Sequence, residues 1–189
     1  MSFNLHPGYE TSRGMVKRAM IVLVTGGARS GKSALAERLT RRNAESAVYI
    51  ATAEPRDDEM SARIAHHIAR RGAGWHTVEA PRDLAGALMA TDGQGPRLVD
   101  CLTLWLANCG TDADIDGLVE VLKRQRDPVV LVTNELGGGI VPDNALARDF
   151  RDRHGWMNQA VAEAADQVWM AVCGQPLRLK PARENDDFL

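Results

Sequence analysis

The chain has 189 residues, 44% hydrophobic and 25% charged, with a formal net charge of −2, the make-up of one globular domain with a sizeable core. That balance leaves no global basic field for nucleic acid or an anionic membrane, so any affinity for phosphate has to be local. Three cysteines, Cys101, Cys109 and Cys173, form no CxxC pair and no His/Cys cluster, which argues against a disulfide framework and a structural zinc site and fits a reducing cytoplasm.

Residues 1–19, MSFNLHPGYETSRGMVKRA, are polar, punctuated by glycine and proline and without period, and are read as a flexible leader before a single domain at 20–189. Met20 is a possible alternative start. The apolar run ends at Val24, and nothing else approaches membrane-spanning length. A β-branched strand at Ile21–Thr25, a helix from Lys32 to Arg42 and a strand at Val48–Thr52 make one βαβ unit. A helix over Asp57–Arg71, a strand at His76–Glu79, a helix opened by Asp83 and a strand at Arg97–Asp100 follow. Helical patterns run over Leu102–Asn108 and Ile115–Arg126, the most apolar strand is Val129–Thr133, two helices flank Gly155, and strands at Val168–Val172 and Leu177–Leu179 close the chain. The alternation predicts an α/β fold, a largely parallel sheet with helices on both faces and ligands at the carboxyl ends of the strands.

The stretch VTGGARSGKS contains G-x-x-x-x-G-K-[ST] as Gly26, Gly27, Ala28, Arg29, Ser30, Gly31, Lys32 and Ser33. It follows a buried strand and opens a helix, the setting in which backbone N–H groups and the helix dipole surround a phosphate chain. Lys32 then reaches the β- and γ-phosphates, and Ser33 supplies a hydroxyl to Mg2+. An acidic partner for the metal stands at either of two strand ends, Asp100 in RLVDCLT or Glu135 in VVLVTNEL, and the sequence leaves that choice open. A triple glycine after Glu135 predicts a flexible loop at the same sheet edge.

Residues 57–72, DDEMSARIAHHIARRG, place two adjacent histidines on an arginine-rich helix. Met60, Ile64 and Ile68 make an i, i+4 stripe that predicts a core-facing side, with His67 at its edge and His66 pointing away. Arg63, Arg70 and Arg71 stand at i−4, i+3 and i+4 from His67. Such cations suit a triphosphate and favour neutral, nucleophilic imidazole. On this helix alone, a boundary histidine beside solvated arginines is the favoured explanation of the pattern.

VTGGARSGKS, YIATAEPRDDEMSARIAHHIARRG, TNELGGGIVPDNALARDFRD and MNQAVAEAADQVW, spread in order over Met20 to Lys180, together resemble the bifunctional adenosylcobinamide kinase / adenosylcobinamide-phosphate guanylyltransferases of cobalamin biosynthesis. The resemblance implies a RecA-like P-loop NTPase fold, a cytoplasmic homotrimer, and two reactions. Adenosylcobinamide is phosphorylated on its aminopropanol hydroxyl from ATP or GTP. GMP from GTP then passes through a guanylylated histidine, here His67, to give adenosyl-GDP-cobinamide and pyrophosphate. It further implies that Gly26 to Ser33, Ala51, Thr52, Ala53, Ile68, Ala69, Arg70, Arg71, Glu79 and Asp100 line the nucleotide site. Asp100 stands where the resemblance implies a glutamate. Two other readings fit the motif: a one-step P-loop kinase of another small metabolite, and a nucleotide-dependent switch or nucleic-acid-binding relative. The chain lacks the N-K-x-D guanine motif and a basic face with interleaved aromatics, which weighs against the second.

Overall fold

Side-chain alternation along the strands decides how the sheet is covered. In β1 (Ile21–Thr25), Ile21 and Leu23 join one buried cluster while Val22 and Val24 join another, the period of two that sends neighbours to opposite faces. The same division separates Val129 and Leu131 from Val130 and Val132 in β5 (Val129–Val132). β5 is therefore apolar throughout and β1 as far as its last residue, Thr25, as strands covered on both faces must be.

The computed structural model describes residues 19–55 and 57–181, and within the helix at 58–71 the side chains of residues 59, 60, 63, 64, 66, 67 and 70 lie outside that description. The remaining strands are β2 (Ala47–Ala51), β3 (Trp75–Glu79), β4 (Arg97–Asp100), β6 (Gln167–Val172) and β7 (Gln175–Lys180). They form one seven-stranded sheet in the order β3-β2-β4-β5-β1-β6-β7. Every neighbouring pair is parallel except β6–β7. That antiparallel pair is a hairpin closed by Cys173 at φ 52° and Gly174 at φ 77°, two left-handed residues that match the twist of the flanking strands.

The helices are α1 (Lys32–Thr40), α2 (Asp58–Arg71), α3 (Leu84–Ala90), α4 (Leu102–Cys109), α5 (Ile115–Lys123) and α6 (Ala145–Ala164). α1 covers one face through Leu35 and Ala36. α3, α4, α5 and α6 cover the other through Leu84, Leu88, Leu102, Leu106, Leu118, Leu122, Met157 and Val161. Side chains of Asp83, Asp114 and Asn144 cap α3, α5 and α6 by accepting from the N–H of Gly86, Gly117 and Ala147 at 2.8–2.9 Å. Ala19, at the edge of the expected leader, belongs to the folded body: it is buried and its N–H donates to the Gln125 carbonyl at 3.1 Å. Residues 1–18 lie outside the described residues.

The expectation of two helices flanking Gly155 is corrected: α6 runs unbroken through that glycine. His154, Met157, Val161 and Ala164 form one buried stripe at helical spacing, and this packing outweighs a local preference of about 1 kcal/mol against glycine. A Cβ at Gly155 would meet nothing within 4 Å. Gly155→Ala is therefore expected to stabilise the fold by up to about 1 kcal/mol. Chemical denaturation measures this, and a lowered midpoint would mean that the helix needs the glycine.

At the start of β4, Arg97 is fully buried. Its guanidinium donates to the carbonyls of Leu88 at 3.0 Å and Asp127 at 2.6 Å and to the Gln125 side chain. It pairs with Asp92 at 3.1 Å. Burial holds the Arg97 pKa below its usual value, against the pull of Asp92 and Asp127. Arg97→Met takes the buried donor from two carbonyls and an amide and leaves Asp92 to Arg126 and the Asp127 N–H alone, and is expected to cost about 3 kcal/mol. An unchanged denaturation midpoint would contradict that role.

Candidate active site

The loop between β1 and α1 owes its course to two glycines. Gly26 has φ +150°, and a Cβ there would sit 2.6 Å from both the Ala171 carbonyl oxygen and Ser30 Oγ. Gly31 has φ +92° and faces Gly174 Cα, 3.1 Å from where its Cβ would be, while Gly174 N–H donates to the Ser30 carbonyl at 2.9 Å. The β6–β7 turn thus buttresses the phosphate-loop motif from outside. Arg29 takes φ 56°, left-handed without being glycine. Lys32, the first residue of α1, lays its ammonium back across the loop by donating from Nζ to the Gly27 carbonyl at 3.0 Å. The buried hydroxyls of Thr25 and Ser30 have no hydrogen-bond partner among the described residues.

A cavity of about 560 Å³ opens beside this loop. Lys32 and Ser33 stand on its loop side, Ala51, Glu79 and Asp100 at its strand ends, and Ser61, Ala65, Ile68 and Arg71 on α2. The spacing of the four α2 positions marks one helical face. The core-facing stripe expected for α2 is corrected at Ile68, which is 54% exposed and lines the cavity. No described side chain of α2 enters either core cluster, and Ala65 and Ile68 face the cavity. Met60 and Ile64 of that stripe have side chains outside the description.

Asp100 ends β4, where its carboxylate accepts a hydrogen bond from the buried Tyr49 hydroxyl. Burial, then the Asp100 charge, raises the Tyr49 pKa far above its usual value, so Tyr49 remains a neutral donor. The Arg71 guanidinium lies 3.4 Å from the centroid of the Tyr49 ring, within cation–π range. The Asp100–Cys101 peptide is cis. Thr52 ties it down: Cys101 N–H donates to Thr52 Oγ1 at 2.7 Å, and the Thr52 hydroxyl donates to the Cys101 carbonyl at 2.8 Å. Burial pushes the Cys101 thiol up to about 11, which makes it a packing group at neutral pH. Glu135 stays outside the cavity lining, and its Oε1 accepts the Gly137 N–H at 2.8 Å.

Of the expected nucleotide contacts, Lys32, Ser33, Ala51, Ala53, Ile68, Arg71, Glu79 and Asp100 therefore meet around one cavity. Thr52 is fully buried with its hydroxyl spent on Cys101, and Ala69 is exposed on α2 outside the lining. Gly26, Gly27, Ala28, Arg29, Ser30 and Gly31 build the adjoining loop. The side chains of His66, His67 and Arg70 lie outside the description, although their backbone belongs to α2. Sequence reading missed Tyr49, Thr77 and Asn134, which also line the cavity. Tyr49 and Asn134 each adjoin a motif that was read, one inside YIATAEP and the other beside Glu135. Among the described residues no group of three or more His, Cys, Asp or Glu gathers as a metal cage, and no helix is long and apolar enough to cross a membrane.

The loop, the largely parallel sheet and its two helical layers are those of a P-loop α/β fold. Residues 22–179 match the family model of cobinamide kinase / cobinamide phosphate guanyltransferase. The chain is similar to the bifunctional adenosylcobalamin biosynthesis protein CobP of Pseudomonas aeruginosa, 46% identical over 166 residues that cover 84% of this chain and 96% of the relative. It is also similar to the bifunctional adenosylcobalamin biosynthesis protein CobU of Salmonella typhimurium, 42% identical over 182 residues, covering 85% of this chain and 100% of that one. CobU of Escherichia coli is 40% identical with the same coverage. Among solved structures, a Pyrococcus horikoshii OT3 protein shares the fold at TM-score 0.51 and 9% identity, over 87% of this chain and 88% of that one. The RadB recombinase aligns at TM-score 0.47 and 12% identity over 80% and 73% of the two chains.

Proposed function

The chain belongs to the cobinamide kinase / cobinamide phosphate guanyltransferase family, and from that premise we propose that it carries out both reactions on one corrin substrate. In the first, the aminopropanol hydroxyl of adenosylcobinamide attacks the γ-phosphorus of ATP or GTP and the nucleoside diphosphate leaves. In the second, the imidazole of His67 attacks the α-phosphorus of GTP, forming a P–N bond as the bond to pyrophosphate breaks. The phosphate of adenosylcobinamide phosphate then displaces the histidine and leaves as adenosyl-GDP-cobinamide.

The observation that supports this reading is a single cavity walled on one side by Lys32 and Ser33 of the phosphate loop and on another by a face of α2, the helix that carries His67. A kinase of one step needs the loop and no helix with a nucleophile. In the kinase step the loop N–H groups and Lys32 neutralise charge on the phosphates, since phosphoryl transfer asks the protein chiefly for positioning and electrostatics. Arg71 brings positive charge to the α2 side, which suits the triphosphate and favours an uncharged imidazole in its neighbourhood. Glu79 and Asp100, with Ala51 and Ala53, form the strand-end wall against which the nucleotide lies.

Mg2+ fits the oxygen donors that share the cavity, the Ser33 hydroxyl and the Asp100 carboxylate, because a hard cation bound mainly by phosphates and water asks for one or two protein oxygens and no cage. Bound there, it would neutralise phosphate charge. Glu135, turned to Gly137 outside the lining, is set aside for that role. A cytoplasmic homotrimer completes the proposal. The test is incubation with α-labelled GTP: label that survives denaturation and is released by mild acid supports the histidine route, and its absence at full kinase turnover returns the one-step kinase.

A further inference from the structure

Just after β5 the chain is fastened more heavily than a loop requires. Thr133 N–H donates to the Val24 carbonyl at 3.0 Å and Glu135 N–H to the Gly26 carbonyl at 3.1 Å, so the residues on either side of Asn134 are tied to the entry of the phosphate loop. Asn134 itself is held from the other direction. Its N–H donates to Thr103 Oγ1 at 3.0 Å, and its carbonyl accepts from Asn158 Nδ2 at 3.1 Å. Behind these contacts lies His154, 1% exposed, with Nε2 at 2.9 Å from Thr103 Oγ1 and 3.2 Å from Thr133 Oγ1. Thr133 donates its own proton to Asn158 Oδ1 at 2.8 Å. Thr103 accepts from Asn134 and has a proton left for His154 Nε2, an arrangement that a neutral ring completes. Burial lowers the His154 pKa, with the Glu135 charge pulling the other way.

Four buried or half-buried polar side chains are thus spent on fixing the backbone of one residue, at a desolvation cost that only full pairing offsets. What they fix is a residue that lines the cavity together with Lys32, Ser33 and Asp100 and whose carboxamide makes no hydrogen bond to any described residue. A carboxamide offers two N–H donors to phosphate oxygens without adding charge. Resting on the kinase reading above, we propose that Asn134 is a catalytic residue of the phosphoryl-transfer step, donating from Nδ2 to the transferred phosphoryl group, and that Thr103, Thr133, His154 and Asn158 are the positioning clamp that aims it.

The test compares wild type, Asn134→Ala, Thr103→Val and Thr103→Ser in two assays, adenosylcobinamide phosphorylation from ATP and GMP-adduct formation from GTP, with melting temperatures alongside. Asn134→Ala is expected to lower the kinase kcat by about 100-fold, with the ATP KM within about threefold because phosphate binding rests mainly on the loop. Adduct formation, whose chemistry is at the α-phosphorus, should fall by far less. Thr103→Val should lower the kinase kcat in the same direction and Thr103→Ser should restore it, a rescue that loss of stability alone would not produce. Unchanged kcat in Asn134→Ala overturns the catalytic role, and a Thr103→Val protein with a lowered melting temperature but wild-type kcat overturns the clamp. A wild-type protein that does not phosphorylate adenosylcobinamide overturns the parent reading and this one with it, so the two failures are distinguishable.

Discussion

Lys32→Ala is expected to lower the kinase rate by roughly 10³-fold and to weaken nucleotide binding strongly. The loop amides survive the substitution, because the loop course depends on Gly26, Gly31 and the abutting β6–β7 turn and not on the lysine. They supply only partial charges, however, and a transferred phosphoryl group spreads negative charge over its oxygens as it moves. The Lys32 ammonium brings a full positive charge, which a phosphate-loop lysine holds beside the β- and γ-phosphates. It already lies across the loop on the Gly27 carbonyl, so it needs little reorganisation to reach them. Because Lys32 begins α1 outside both core clusters, its truncation should leave the melting temperature within a degree or two (~0.5 kcal/mol). Steady-state kinetics with adenosylcobinamide and ATP is the measurement, and full turnover by a well-folded variant would sink the role given to the loop.

The loop was legible because its physics is local: a strand, a run of permissive glycines and a helix start within thirteen residues, Ile21 to Ser33, each with its own signature. The same holds for the strands, whose apolar runs announce burial on both faces, and for Asp83, which caps α3 as its position before an apolar run suggests. What stayed hidden depends on partners far away in sequence. Gly155 reads as a break, and only the buried stripe of His154, Met157 and Val161 against the sheet shows why the helix continues. Ile68 reads as core because apolar periodicity cannot distinguish a helix facing a sheet from one facing a cavity. Asp100 and Glu135 are equivalent as strand-end acids, and what separates them is the Tyr49 hydroxyl on one and the Gly137 N–H on the other. Asn134 carries no signal of its own, since the two side chains that bond its backbone come from α4 and α6, 31 and 24 residues away.

His67→Ala is expected to lower formation of the covalent GMP adduct, and with it the guanylyltransferase reaction, on the order of 10³-fold or more, because no other group replaces the nucleophile. The kinase reaction should survive in large part, since it asks for charge and position and not for an imidazole. His66→Ala should do less harm. Consecutive helical residues diverge by about 100°, so one helix face cannot serve both histidines. The face of α2 that lines the cavity carries Ser61, Ala65, Ile68 and Arg71. Arg71 follows His67 by one helical turn, whereas His66 falls out of step with it. The adduct itself supplies an independent check, because a phosphoramidate is cleaved by acid and resists alkali while a serine phosphodiester does not follow that pattern. An acid-labile adduct that persists in His67→Ala and vanishes in His66→Ala would move the nucleophile to the neighbouring residue. An adduct that persists in both would remove histidine from the mechanism, leaving the cavity to a kinase of one step.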